Sequence, residues 1–353
     1  MVKHLIPGMQ NIYVGALIES DLTELIHKLK PSKIAVLTDE HTYELCLPFV
    51  MNSVGGLETA EIIQLEAGES TKDIEIAAHL YSLLSDFEFG RGDLLINLGG
   101  GMISDLGGFV AATYKRGMKF INIPTTLLGM IDAALGGKNG INLGPLKNQI
   151  GTITFPEKVY IDPVFLSTLP ELDLLNGFAE VIKHGLIASE TLFDELVDLN
   201  LKELSPEILL KIASVKLKIV EQDPNEQGQR KTLNFGHTFG HALEGALMKE
   251  HAISHGHAVA VGMLVESKLS FDRGIMEEED WSKIHAFLMK YYTIPEMTGE
   301  ERMYFKQLLK NDKKNRNAKI LSCLLTSIGS CIYDQEVEAE DFLRIYDELK
   351  ASF

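Results

Sequence analysis

The sequence predicts an α/β + α chain, with a parallel sheet and crossover helices in its first part and a mainly helical second part. Three observations lead there. Short apolar runs alternate with amphipathic segments over about the first 160 residues, the pattern of parallel strands joined by helices. From about Glu171 the pattern changes to long helical periodicity, in Leu204 to Val220, Thr232 to Met248 and Ala258 to Phe271, with turns at Pro206, Pro224 and Gly256. A length of 353 residues exceeds what one hydrophobic core usually serves, so two domains are expected, residues 1–170 and 171–353.

Three strands stand out in the first part. Ile34-Ala35-Val36-Leu37 ends at Thr38-Asp39, Leu94-Leu95-Ile96-Asn97-Leu98 ends at a glycine triplet, and Phe120-Ile121-Asn122-Ile123 ends at Pro124-Thr125-Thr126. Ligands collect at such carboxyl ends in open α/β sheets. In the second part, β-branched and apolar residues from Ile320 to Tyr333 around Gly329 predict a short hairpin, and Ala339 to Lys350 a last amphipathic helix.

A formal net charge of −17 argues against neutralising nucleic-acid phosphates or anionic lipid. Cys46, Cys323 and Cys331 form no C-x-x-C arrangement, which speaks for packing residues in a reducing compartment rather than a disulfide framework. Met1 to Gly8 lacks a signal-peptide pattern, and no apolar run approaches the roughly 20 residues that span a bilayer. A cytoplasmic location is expected.

Four segments carry chemistry. In Asn97 to Asp105 a buried strand runs into Gly99-Gly100-Gly101 and a helix. Such a turn lets backbone N–H groups approach a pyrophosphate at a helix N-terminus, although it is not G-x-G-x-x-G. Upstream, Gly68-Glu69-Ser70-Thr71-Lys72 reads as a helix start capped by Ser70 or Thr71. Pro124 through Asp132, Gly136-Gly137-Lys138-Asn139 and Lys147-Asn148 form a loop-rich stretch whose lysines and amides suit phosphate. In Asn234-Phe235-Gly236-His237-Thr238-Phe239-Gly240-His241, the two histidines lie four apart on one helix face. Spacing makes His237 and His241 the metal pair and leaves the third ligand open, with His255 and His257 nearby. Finally, Glu180, Lys183 and His184 share one face of a helix whose neighbours Val181, Ile182, Leu186 and Ile187 are apolar, so a buried charged pair is expected.

Taken in order, these segments resemble the 3-dehydroquinate synthases, members of the sugar phosphate cyclase superfamily, from about Asp39 to Gly329. The resemblance implies an N-terminal Rossmann-like domain holding NAD, a C-terminal helical domain holding Zn2+ or Co2+, and a homodimer. It places NAD against Asp39, Glu69, Lys72, Gly99, Gly100, Gly101, Met102, Ile103, Ser104, Asp105, Thr125, Thr126, Asp132, Lys138, Lys147, Phe165, Leu166, Ser167 and Thr168. Glu180, His237 and His255 become the metal ligands, which moves His241 from the metal to the substrate. Further substrate contacts fall to Lys138, Asn148, Lys183, Lys216, Arg230, Asn234 and one of Lys313 or Lys314. Arg116 would reach the neighbouring subunit's phosphate, and Glu226 would orient a water or a lysine.

The implied substrate is 3-deoxy-D-arabino-heptulosonate 7-phosphate. The implied reaction is oxidation at C5, loss of phosphate, re-reduction, ring opening and intramolecular aldol closure, with NAD regenerated each turnover. Arg230 offers a planar fork for a carboxylate, which favours a sugar acid over the substrates of the 2-deoxy-scyllo-inosose synthases and sedoheptulose 7-phosphate cyclases. Metal-dependent polyol dehydrogenases, which release NADH, and a catalytically silent NAD-binding protein are the rival readings. Three positions depart from the family pattern. His257 stands where glutamate is common and competes for the metal, Asn139 replaces threonine, and Leu146 alters the context of Lys147-Asn148.

Overall fold

The buried apolar runs of the first half line up side by side. In the computed structural model, which describes residues 2–6, 10–144, 146–201, 203–247, 252–310 and 319–351, the chain divides into two compact units. The first comprises Met1–Leu174 and Leu201–Leu217, the second Leu175–Asn200 and Lys218–Phe353.

The first unit carries strands β1 (Val2–Ile6), β2 (Gln10–Val14), β3 (Ile34–Asp39), β4 (Glu61–Leu65), β5 (Leu94–Gly99), β6 (Lys119–Pro124), β7 (Lys138–Leu143), β8 (Leu146–Ile153) and β9 (Lys158–Ile161). Seven of them form one sheet in the order β1-β2-β9-β6-β5-β3-β4, parallel except for the antiparallel β1–β2 pair. The chain passes from β3 outward to β4, then returns to lay β5 on the other side of β3. The order therefore reverses between β3 and β5, and the carboxyl ends there, Asp39 and Gly99, flank a topological switch point.

Helices α1 (Leu22–Leu29), α2 (Glu40–Leu45), α3 (Leu47–Ser53), α4 (Ile74–Asp86) and α5 (Gly101–Thr113) connect these strands. On one sheet face Ala35, Leu37, Leu95 and Phe120 pack with Leu80, Leu84, Ile103, Leu106 and Val110 of α4 and α5. Each such aliphatic or aromatic side chain contributes about 1.5–3 kcal/mol when fully buried. Asp39 caps α2 through a reciprocal box with Thr42, whose hydroxyl also reaches Leu98 O at 3.2 Å and ties β3 to β5 at the switch point. Asp73, not Ser70 or Thr71, caps α4, accepting from Ile76 N at 2.8 Å; residues Glu69–Thr71 form a separate 3-10 turn before it.

The stretch read as loop-rich is more ordered than its composition suggests. It holds a π-helical turn at Gly129–Ala133 and the antiparallel β7–β8 hairpin. Gly140 and Gly151 face each other there, and an added Cβ on either would lie 2.9 or 2.4 Å from the opposite backbone. Asn139 is a packing group, donating to Gly137 O and Thr154 O.

Helices α6 (Glu171–Ala188), α7 (Glu190–Val197), α8 (Pro206–Gln222), α9 (His237–Leu247), α10 (His255–Asp272), α11 (Glu278–Met289), α12 (Gly299–Lys310) and α13 (Ala339–Ala351) follow, with hairpin β10 (Ile320–Ser327) and β11 (Ser330–Val337). The hairpin extends beyond Tyr333, and Gly329 at its turn takes φ +86°. Thr232 does not begin a continuous helix: Gln229–Asn234 form a 3-10 turn, Gly236 takes φ +78°, and α9 starts at His237. Glu266 of α10, fully buried, accepts N–H groups from Gly236 at 2.6 Å and Phe239 at 3.3 Å, an anion at the positive end of α9. Among the described residues, no helix is long and apolar enough to cross a membrane.

The α9–α10 crossing depends on missing side chains. A Cβ on Gly262 would sit 1.9 Å from Gly236 O, and one on Gly240 2.9 Å from Ala258 O. Gly262→Ala is therefore expected to destabilise the second unit by about 1–3 kcal/mol or more, because the obstacle is backbone that cannot rotate away. Urea unfolding followed by the fluorescence of Trp281, the single tryptophan, checks this; an unchanged midpoint would show that the helices part without cost.

Candidate active site

In the first unit the glycine triplet sits where β5 meets α5. None of the three takes a positive φ. Their need is closeness: a Cβ on Gly99 would lie 2.6 Å from Ile103, on Gly100 3.0 Å from Thr126, and on Gly101 3.0 Å from Ala133. Gly100 gives α5 no side-chain cap, so the helix's first N–H groups keep the partial positive charge that suits a pyrophosphate. Thr125 N bonds Gly99 O at 3.0 Å, joining the ends of β5 and β6. Ser104 Oγ and Thr125 Oγ1 belong to residues only 1% exposed and have no hydrogen-bond partner among the described residues. Orphaned hydroxyls at a switch point fit a polar ligand such as a dinucleotide.

Around this turn, Lys72 Nζ contacts Asp105 Oδ2 at 2.5 Å, Asn148 Oδ1 at 2.7 Å and Glu69 Oε1 at 3.7 Å. Asn142, which sequence reasoning missed, completes the network by donating to Glu69 Oε1 at 3.0 Å and accepting from Asn148 N at 2.9 Å. Asn148 holds φ +51° to do so. Lys216 Nζ reaches both Oδ1 and the carbonyl of Asp132 at 2.7 Å, and Asp132 lies in the π-helical turn. Such π turns recur at functional sites. Lys138 and Lys147 lie on β7 and β8, and Phe165 to Thr168 form a 3-10 turn after β9. Arg116, at φ +64°, follows the far end of the 13-residue α5, about 20 Å along the helix from the glycines, and is not brought to them within this chain. Lys313 and Lys314 lie outside the described residues.

The second unit assembles its cluster from three helices. Glu180 on α6 is fully buried, Lys183 one turn on is 1% exposed, and the two form an ion pair through Oε2. Glu180 Oε1 lies 3.3 Å from His237 Nε2 and 3.7 Å from His255 Nε2. Apart from the Lys183 ion pair, neither carboxylate oxygen accepts a well-aligned hydrogen bond among the described residues. Four ligands around an ion at about 2.0–2.1 Å would stand about 3.3–3.4 Å apart, which is close to the spacing seen. The donor set fits a divalent transition ion.

Electrostatics agree. Burial alone would push the Glu180 carboxyl up, but the Lys183 ammonium outweighs it and holds it well below the usual carboxylate range. Burial and then Lys183 depress the His237 imidazole, which is neutral; its Nδ1 meets Phe235 O at 3.1 Å, leaving the Nε2 lone pair for Glu180's side. Burial by itself lowers His255, yet the carboxylates of Glu180 and Glu244 on either side lift it to about 9.

His241 stands on the same face, its ring 5.0 Å from that of His237 and 5.6 Å from His255, and the ligand atoms of the three histidines lie within 4.8 Å of one another. It is exposed, whereas Glu180 is not. His257 points elsewhere: its Nε2 bonds Thr293 O at 2.6 Å and its ring packs near Tyr292. Arg230, 2% exposed, donates to Pro224 O at 2.7 Å, and Asn234 donates to Glu226 Oε1 at 2.8 Å. Sequence reasoning also missed Asn176, whose Oδ1 accepts Gly256 N at 2.6 Å and fixes the start of α10 against α6. Its only signal was Gly256, where a Cβ would lie 1.9 Å from Asn176 O.

A dinucleotide-type sheet in one unit and a metal-type cluster in the other are the parts of an enzyme that uses NAD and a divalent ion. Residues 62–176 match the model of the 3-dehydroquinate synthase N-terminal domain and residues 177–315 that of its C-terminal domain. The chain belongs to the 3-dehydroquinate synthase family. It is 40% identical over 353 residues to the 3-dehydroquinate synthase of Parabacteroides distasonis, covering 98% of this chain and 99% of that protein. In fold it matches the 2-epi-5-epi-valiolone synthase ValA of Streptomyces hygroscopicus subsp. jinggangensis 5008, solved with NAD+ and Zn2+ bound, at TM-score 0.83 and 24% identity over 100% of both chains. It also matches a 2-deoxy-scyllo-inosose synthase complexed with carbaglucose-6-phosphate, NAD+ and Co2+, at TM-score 0.83 and 23% identity over 96% of both chains.

Two outcomes are expected from metal analysis after dialysis. Glu180→Gln and His237→Ala should lose bound Zn2+ or Co2+, whereas His241→Ala and His257→Ala retain it; equal content in all four would contradict the assignment. With His255 as a ligand, binding displaces its proton, so apparent affinity should rise with pH up to about 9 and fall about tenfold per unit below it. A flat affinity between pH 6 and 8 would show that binding displaces no proton from His255.

Proposed function

We propose that this chain converts 3-deoxy-D-arabino-heptulosonate 7-phosphate to 3-dehydroquinate and phosphate, as a homodimer in the cytoplasm. The observation that carries this is the convergence of Glu180, His237 and His255 beside buried Lys183, in a chain that shares the whole length of a 3-dehydroquinate synthase. NAD, when bound, would supply a reversible hydride acceptor for C5, and a divalent ion, which Glu180, His237 and His255 would hold, would supply Lewis-acid polarisation of the reacting oxygens.

The chain's own groups do the rest. The α5 N-terminus and the orphan hydroxyls of Ser104 and Thr125 hold the dinucleotide, with Asp39 at the adjacent strand end. Lys183 balances negative charge at the reacting oxygens, and Arg230 takes the carboxylate through its fork. Once C5 is a ketone, the adjacent C6–H is acidic; its electron pair forms the new double bond as the C7–O bond breaks. The departing phosphate collects that proton, so the cationic groups Lys138, Lys216 and Arg116 of a second subunit need only hold it in position. Asn148, Asn234 and His241 orient sugar hydroxyls. Glu226 acts on Asn234, which it already holds at 2.8 Å.

Incubation with the heptulosonate phosphate, catalytic NAD and Zn2+ should yield dehydroquinate and phosphate in equal amounts, with no net NADH. Steady NADH accumulation from a polyol and no phosphate release would replace this reading with a polyol dehydrogenase. Arg230→Ala should raise KM about 10- to 100-fold, the loss of one or two charge-assisted hydrogen bonds, with kcat less affected; unchanged kinetics would remove Arg230 from the carboxylate.

A further inference from the structure

His255 is gripped from both sides. Its Nε2 faces Glu180 Oε1, and its Nδ1 lies 3.2 Å from Glu244 Oε2. Glu244 stands on α9, seven residues after His237 and three after His241, so at 100° per residue all three project from one face. It is 8% exposed, among buried Ala242, Leu243, Ala246 and Leu247. A carboxylate in such surroundings is costly unless its partner gains from it.

We infer that Glu244 is a positioning residue of the metal site. Its carboxylate accepts the Nδ1–H of His255, which fixes the ring orientation and leaves Nε2 as the only nitrogen available to an ion. The inference rests on the metal reading above and deepens it. The two histidines are anchored differently: His237 Nδ1 meets a neutral backbone carbonyl, that of Phe235, whereas His255 Nδ1 meets a charged acceptor. A carboxylate on the distal nitrogen makes imidazole a more basic ligand, and losing such an outer partner typically weakens metal binding 10- to 100-fold. His255 is also the more exposed ligand, its side chain 28% accessible against 11% for His237, so packing holds its ring less firmly and the hydrogen bond holds it more.

Competition of Co2+ between the full chain and a chromophoric chelator tests this, with NAD binding and far-ultraviolet circular dichroism measured on the same samples. Glu244→Ala should bind Co2+ 10- to 100-fold more weakly, and Glu244→Gln, which keeps an acceptor without the charge, should recover part of that loss, with NAD affinity and helix content unchanged in both. Wild-type Co2+ affinity in both variants would overturn the role of Glu244 alone. A wild-type chain that binds no Co2+ would instead defeat the metal site and this inference with it. Should the variants not fold, nitrogen-15 correlation of the histidine rings in the Zn2+-loaded wild type decides: a protonated Nδ1 on His255 supports the assignment, and a metal-bound Nδ1 refutes it.

Discussion

A fully buried, ionised carboxylate, that of Glu180, sets the terms for the second unit. Stripping such a charge of water costs several kcal/mol unless opposite charge and polar groups close around it. Lys183 supplies the charge from the next turn of the same helix, but His237 and His255 come from α9 and α10. Three helix backbones must therefore approach closely, and the approach is made of glycine. Gly256 lets α10 touch Asn176 of α6, while Gly236, Gly240 and Gly262 let α9 and α10 cross with backbone against backbone. Glu266 then locks the α9 N-terminus onto α10, accepting the N–H groups of Gly236 and Phe239.

In the first unit the constraint is main-chain proximity rather than charge. The switch point between β3 and β5 brings strand ends together, and Thr42, Gly99 and Thr125 stitch them through backbone carbonyls. The triplet lacks the usual dinucleotide spacing, yet its glycines serve the same end by letting Ile103, Thr126 and Ala133 crowd the turn. An uncapped α5 N-terminus is what that crowding leaves facing outward.

How much of this was legible depended on the range of the interaction. Strands buried on both faces read as unbroken apolar runs, so β3, β5 and β6 could be found from composition alone. The β7–β8 hairpin was hidden because its residues, Lys138 to Leu143, are polar and glycine-rich, and its order comes from cross-strand closeness that no local pattern encodes. The helix expected from Thr232 broke at Gly236, which takes φ +78° where Met263 and Val259, distant in sequence, leave no room for a Cβ. Asn176, Glu244 and Glu266 were missed because each meets a partner 80, 11 or 30 residues away.

The choice between His241 and His255 shows what such distance achieves. A pair four apart on one helix is a local device that any isolated α9 would present, independent of the rest of the unit. A set drawn from α6, α9 and α10 exists only once those helices have packed, so an ion bound there stabilises the folded unit as a whole. Glu180, buried and lacking an aligned hydrogen bond, has its Oε1 3.3 Å from His237 Nε2 and 3.7 Å from His255 Nε2, while His241 stands toward solvent. His257, which by sequence stood as a rival ligand, spends its Nε2 on the Thr293 carbonyl at 2.6 Å and braces the segment after α11. The histidine at that position is thus a strut, and the carboxylate that meets His255 Nδ1, two residues before it, comes instead from Glu244 on the neighbouring helix.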